Sequence, residues 1–191
     1  MLSPSGKSHT FDVRADGYAR GEAIDTFACR LGTSNEGVAL RARMVGSAIR
    51  QDGRSASLTA PNGQAQQGVL GASLADARSE ASEAAVLEAH GTGTALGDPI
   101  EAGAVATVFG GRRPPDPLAI GSLKANAGHT EPGAGLSGVL RLRMQLLAEA
   151  SPPNAQLRAL NPHVAAPLRG RAAWALPTHV ARRSGTAAAA G

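Results

Sequence analysis

Two glycine-rich runs constrain this chain more than anything else in it: "EAHGTGTALGDPIEAG" over residues 88–103 and "GSLKANAGHTEPGAG" over residues 121–135. Each sets a histidine, His90 or His129, in a turn that follows a short apolar stretch and precedes a helix-forming segment, and the second run also carries Lys124. The segment "AAVLEA" (84–89) reads as a short buried strand ending at His90, and "LAIGSLKA" (118–125) as a second strand leading toward His129. A strand, a crossover helix and a strand make a unit whose strands run parallel and whose carboxyl ends share one edge. The two histidines therefore belong on one edge of a mostly parallel sheet, in an α/β fold.

The intervening helix is written with the usual punctuation. Asp98 is placed as its N-cap, Pro99 at the first helical position and Glu101 three residues after the cap, and Gly110 and Gly111 stop it. Another helix is expected from Gln64 to Ala77, burying Val69, Leu70 and Leu74. A third spans Gly135 to Ala150, where Leu136, Val139, Leu140, Met144 and Leu147 recur at spacings of three and four. Residues 38–49, "VALRARMVGSAI", read as a strand, residues 51–63 as a loop, and Gln156 to Ala159 as a short strand. The tail is rich in proline and arginine, and the last ten residues have the composition of a disordered end. No internal repeat at a fixed period is present.

Composition narrows the function classes. At 191 residues with 42% hydrophobic content the chain is long enough for one domain and a core. No apolar run approaches the roughly 18 residues of a membrane span, and the amino terminus lacks the blocks of a secretory signal. The expected compartment is cytoplasmic, or organellar with a targeting segment outside this sequence. The net charge is only +4, the cations are scattered and aromatics are 3%. Nucleic-acid binding, which uses clustered cations and stacking platforms, is disfavoured. Arginine far exceeds lysine, which makes Lys124 stand out. The single cysteine, Cys29, excludes an internal disulfide and a thiolate metal cage. Between Phe27 and Leu31 it reads as a small buried hydrophobe.

Two imidazoles aimed into a crevice beside a lysine suit a reaction that develops negative charge on oxygen. Neutral imidazole donates an N–H to an enolate or alkoxide, and an ammonium nearby favours the neutral rings by like-charge repulsion. Lys124 then tunes the pair and does not attack. Competing readings carry less: "GTGT" lacks the flanking pattern of a nucleotide loop, and His90, Asp98 and His129 lack the tight spacing of a metal site. His9, His163 and His179 sit in polar or proline-rich context and are expected at the surface.

The same residues resemble a known family. "LSPSGKSHTFDVRADGYARGEA" (2–23), "GSAIRQDGRSASLTAPNG" (46–63), "VLEAHGTGTALGDPIEAGA" (86–104), "GSLKANAGHTEPGAG" and "NPHV" (161–164) follow, in order, the second half of the β-ketoacyl synthase, or ketosynthase, domain of polyketide and type I fatty acid synthases, in the thiolase-like superfamily. The resemblance implies a layered α/β/α/β/α fold. It implies a decarboxylative Claisen condensation of an acyl thioester with a malonyl thioester, delivered on the phosphopantetheine arm of acyl carrier protein with no directly bound cofactor or metal. On this resemblance His90 and His129 assist decarboxylation and stabilise the enolate, Lys124 supports them, and Thr92 and Thr94 hydrogen-bond the phosphopantetheine arm.

Departures accompany the match. The family's nucleophilic cysteine belongs upstream of Met1 and Cys29 does not match it, a terminal "GFGGTN" turn is not found, and Asp25 stands where the family is apolar. The expectation is a truncated ketosynthase, with residues 1–37 ending the first half, 38–150 forming the second and 151–191 following it. The parent is expected to be a homodimer, and this chain by itself is expected to be unable to complete condensation. The alternative is a non-catalytic remnant acting as an interaction or dimerisation module.

Overall fold

Three short strands, hydrogen-bonded in the order β1–β2–β4 and all parallel, organise the computed structural model, which describes residues 1–29, 42–55, 57, 60–111, 117–170 and 174–182. They are β1 (Val86–Glu88), β2 (Leu118–Gly121) and β4 (Trp174–Ala175). Glu88 lies opposite Gly121. The crossover between β1 and β2 is helix α2 (Gly97–Phe109), as the sequence predicts, and it stops at Gly110.

The period of two along β2 assigns its faces. Leu118 and Ile120 join Val105, Ala106 and Phe109 of α2 in the core, together with Phe11, Ala89, Ala102, Val164 and Leu168. Burying each large side chain of this set is worth about 2 kcal/mol. Ala119 and Gly121 face the other way, toward α4 (Ala134–Ala148), whose Arg141 guanidinium comes within 2.9 Å of the position a Gly121 Cβ would take. The sheet therefore lies between α2 and α4. Helices α1 (Gly63–Ala77) and α5 (Pro162–Leu168) pack on α2. Asn62 caps α1 by accepting the N–H groups of Gln64 and Ala65, and Leu70 and Leu74 rest half-buried on the core. A four-residue helix, α3 (Lys124–Ala127), follows β2. β3 (Ala150–Ser151) and β5 (Ala181–Arg182) form a separate antiparallel pair. Among the described residues no helix is long and apolar enough to cross a membrane.

Several sequence expectations need correction. Residues 42–49 form no strand; Met44 is 85% exposed and Ile49 96%, and among the described residues no strand pairs with them. Residues 38–41 and Leu31 lie outside the described part, as do 183–191. Cys29 is exposed and not in a strand. Residues 156–159 form no strand either, since the N–H groups of Arg158 and Ala159 donate to the Asp12 carboxylate instead. In α4 the apolar positions Leu136, Val139, Met144 and Leu147 are exposed, while Ser137, Gly138, Arg141 and Gln145 are buried. Ser137 donates to Asp25, which accounts for a carboxylate at that position.

Asp12 ties the amino-terminal segment to the 154–160 turn. Completely buried, it accepts from the Arg14 N–H and guanidinium and from the N–H groups of Arg158 and Ala159. Burial pushes its carboxyl up, but the Arg14 guanidinium and the three backbone donors outweigh that and hold it far below the ordinary range. A lowered carboxyl stabilises the fold above the unfolded-state value near 3.9 and loses that contribution as pH falls. Asp12→Ala is expected to cost about 3 kcal/mol at neutral pH by stranding buried donors. In urea titrations the difference from the parent should shrink as pH drops below about 5, because the unfolded chain takes up a proton at the ordinary carboxylate value while the folded carboxylate resists it to far lower pH.

Candidate active site

The crevice is assembled where β1 and β2 end. Beyond Glu88 the Ala89 N–H still donates to Gly121 O, at 2.7 Å, and the chain then turns through Gly91 (φ +45°) and Gly93 (φ +78°). A Cβ on Gly91 would stand 2.6 Å from Ser122 Cβ, and one on Gly93 would stand 2.7 Å from the His9 nitrogen, so both positions need glycine for space as well as for backbone angle.

A turn of this kind presents backbone donors that nothing in a ladder satisfies. Two carboxylates of α2 take them. Glu101 accepts the N–H groups of His90 and Gly91 at 2.6 and 2.8 Å, and Asp98 accepts those of Gly93 and Phe11 at 3.0 and 2.7 Å. Asp98 is thus not the N-cap that the sequence suggests. It lies inside the first turn with Oδ1 turned back onto the preceding loop and Oδ2 on Phe11 of the amino-terminal segment, and the Gly97 N–H is met by Thr94 Oγ1 at 3.1 Å. Burial pushes Asp98 up to about 6 and Glu101 up to about 7, against the pull of these N–H groups. Thr92 and Thr94 are half-buried on the same turn, with hydroxyls 3.4 Å apart.

On the β2 side, the Ser122 N–H donates to Asn154 Oδ1 at 3.0 Å and the Leu123 N–H to Glu88 Oε1. Lys124 is the first residue of α3, not part of the strand, and is 6% exposed. His129 follows α3 in a bridge with the amino-terminal segment, its N–H on Ala19 O and its carbonyl accepting from Gly21.

The expected convergence is observed. The His90 and His129 ring centroids are 5.4 Å apart at an interplanar angle of 89°, and the Tyr18 ring stands edge-on to His129 at 5.1 Å. His129 Nδ1 accepts the Glu131 N–H at 3.0 Å, which places the proton of the neutral ring on Nε2. Surrounding protein, with the charges of Lys124 and His129, lowers His90 to about 4, although its ring is open to the crevice. Burial and Lys124 lower His129 against the opposing pull of Glu131. Lys124 is itself lowered by burial and held up by Glu88, Glu101 and Asp98. At neutral pH the crevice therefore holds two neutral imidazoles beside a cation, an arrangement of N–H donors able to receive a developing oxyanion.

Other sequence candidates lie elsewhere. His163 and His179 are at the surface as expected, whereas His9 is buried, with Nε2 on Ser5 Oγ at 3.1 Å. Among the described residues no group of His, Cys, Asp and Glu is placed to hold a metal ion. Sequence reading did not find Tyr18, which no local pattern marks. It took Glu101 for a capping residue, although an acidic pair just after a glycine turn is also the signal of a carboxylate clamp.

Residues 41–158 match the family model of the β-ketoacyl synthase C-terminal domain. The chain is 46% identical over 166 residues, 85% of its length, to a phenolphthiocerol/phthiocerol polyketide synthase protein of Mycobacterium tuberculosis. It is 45% identical over 84% of its length to a highly reducing polyketide synthase of Emericella nidulans. It spans only 9% and 7% of those proteins. Among solved structures it resembles an oxazolomycin ketosynthase domain of Streptomyces albus (TM-score 0.79, 27% identity, 95% of this chain and 31% of that one). It also resembles the ketosynthase from module 6 of the bacillaene synthase of Bacillus subtilis (TM-score 0.76, 25% identity, 97% and 34%).

Removing the like charge from the crevice should make both rings easier to protonate. In Lys124→Met, histidine ring titration by NMR is expected to show the His90 midpoint rising from about 4 toward the ordinary 6.5, with a smaller rise at His129. Unmoved midpoints would remove Lys124 from its tuning role.

Proposed function

Because the chain belongs to the β-ketoacyl synthase family of polyketide synthases, we propose that it furnishes the histidine–lysine side of a condensing site that decarboxylates a malonyl thioester to an enolate. The observation that carries this reading is the perpendicular His90–His129 pair, 5.4 Å between centroids, beside the buried Lys124.

In this proposal the malonyl group arrives on the phosphopantetheine arm of acyl carrier protein, with Thr92 and Thr94 as hydroxyl partners for the arm. The thioester oxygen takes hydrogen bonds from His129 Nε2 and from His90. As the bond to the carboxylate carbon breaks, carbon dioxide leaves and the electron pair becomes an enolate whose charge rests on that oxygen. Each preorganised donor lowers such a barrier by about 3 to 4 kcal/mol. Lys124 adds a fixed positive field and keeps both rings neutral, so they donate protons in hydrogen bonds without being charged themselves.

Condensation further requires an acylated thiol facing the enolate carbon. Cys29, the one cysteine, is exposed, and none of the described contacts brings it to the rings. The proposal therefore assigns the 191-residue chain alone the decarboxylation half-reaction, in which solvent protonates the enolate.

Incubation of the purified chain with malonyl carrier protein should release carbon dioxide and leave the acetyl thioester. His129→Ala should reduce that rate by roughly a hundred-fold or more, the scale of losing one oxyanion donor. With acyl carrier protein also supplied in acylated form, no carbon-extended product is expected. Detecting one would assign the nucleophile to this chain after all.

A further inference from the structure

The parallel register leaves one ion pair beneath the crevice that the mechanism above does not use. Glu88, at the end of β1, faces α4 and pairs with Arg141, and both side chains are under a tenth exposed. Two glycines make room for the pair. A Cβ at Gly121 would stand 2.9 Å from the Arg141 guanidinium, and one at Gly138 would stand 3.2 Å from Glu88 Cγ. Glu88 divides its oxygens: Oε2 faces Arg141, while Oε1 accepts the N–H of Leu123, the residue before Lys124. Arg141 Nη2 reaches back to Pro152 O at 3.4 Å.

A buried ion pair contributes little net stability, since desolvation offsets its attraction. Its position is more informative. Glu88 lies two residues before His90 and holds the backbone that delivers Lys124, and it attracts Lys124 electrostatically, as do Glu101 and Asp98 from α2. Burial raises the Glu88 carboxyl even with Arg141 present, so without the guanidinium it would hold its charge only by drawing on the lysine of the site.

Resting on the functional reading above, we propose that Arg141 is a positioning residue: by occupying Glu88 Oε2 it leaves Oε1 on the Leu123 N–H and prevents Glu88 from drawing the Lys124 ammonium away from the two imidazoles. Lys124 lowers both rings, so a displaced ammonium would register as a shift of both midpoints in one direction.

The test uses the whole chain, with histidine titration by NMR and malonyl carrier protein decarboxylation as separate readouts. Arg141→Met is expected to raise the His90 and His129 midpoints in the same direction as Lys124→Met. It should lower kcat roughly ten- to hundred-fold with KM within about twofold. Arg141→Lys should restore most of the rate. In Glu88→Gln/Arg141→Met no stranded charge remains, so the midpoints should return to the parent values and kcat to within about threefold. The double variant also decides the matter if Arg141→Met does not fold. Loss of thermal stability with unmoved midpoints and rate in Arg141→Met, or a folded double variant as impaired as Lys124→Met, would overturn the proposal. A parent chain that releases no carbon dioxide would defeat the functional reading, while the shift of the midpoints would still decide the role of Arg141.

Discussion

The site depends on the register of β1 against β2, with Glu88 opposite Gly121. Parallel strands in that register release their chains at the same edge, so His90 and the turn bearing Lys124 leave from adjacent points. A shift of one residue would exchange the faces of the strand, turning Glu88 into the apolar layer under α2 and Leu87 toward Arg141. The rings themselves lie beyond the ladder. What carries the register out to them is a set of single hydrogen bonds: Ala89 to Gly121 O, Leu123 to Glu88 and Ser122 to Asn154.

Past the strand ends, charge takes over from hydrogen-bonded ladders. Three carboxylates, Glu88, Asp98 and Glu101, surround the buried Lys124, yet each is engaged elsewhere, on Arg141 or on backbone N–H groups. This division keeps the ammonium charged without binding it tightly to any one partner. Two unit charges about 4 Å apart at an effective dielectric of 20 interact by about 4 kcal/mol, enough to hold a lysine in one place if a single carboxylate were free. A shared attraction leaves its field available to the imidazoles, where it adds to the burial that lowers both rings.

Much of this was legible in the sequence, and the limits have physical causes. The places of α1, α2 and α4 follow from spacing and from stop signals such as Gly110, because a helix satisfies its backbone locally, although α4 ends at Ala148 and the expected last residue, Ala150, belongs to β3. Strand order puts His90 and His129 at one sheet edge, but the turn through α3 and the bridge that ties His129 to Arg20 are not in that pattern. Residues 42–49 carry a strand-like pattern yet form none, since a strand exists only where a partner supplies the ladder. Asp98 has the spacing of an N-cap, but the unpaired N–H groups of a glycine turn and of Phe11 compete for its oxygens, and both positions of that competition lie outside the helix pattern. Lys124 reads as strand because the strand-like pattern continues into it, whereas the Asn154 and Glu88 side chains take the next two N–H groups and the ladder ends at Gly121, three residues earlier.

The reversed face of α4 follows from the same site. Periodicity finds its apolar stripe of Leu136, Val139 and Leu147, but the face turned to the sheet is Ser137, Gly138, Arg141 and Gln145. Where the strands end, the sheet offers this helix no large apolar side chain: β1 presents Glu88 and β2 presents Gly121, so a small residue and a cation complement it where leucine would clash and strand the carboxylate. A helix that is polar toward its own sheet and apolar away from it suits a central layer, covered on both sides, in the α/β/α/β/α arrangement of the family. The polar contact that supports the crevice and the apolar stripe that faces outward are thus two consequences of placing one carboxylate at the end of β1.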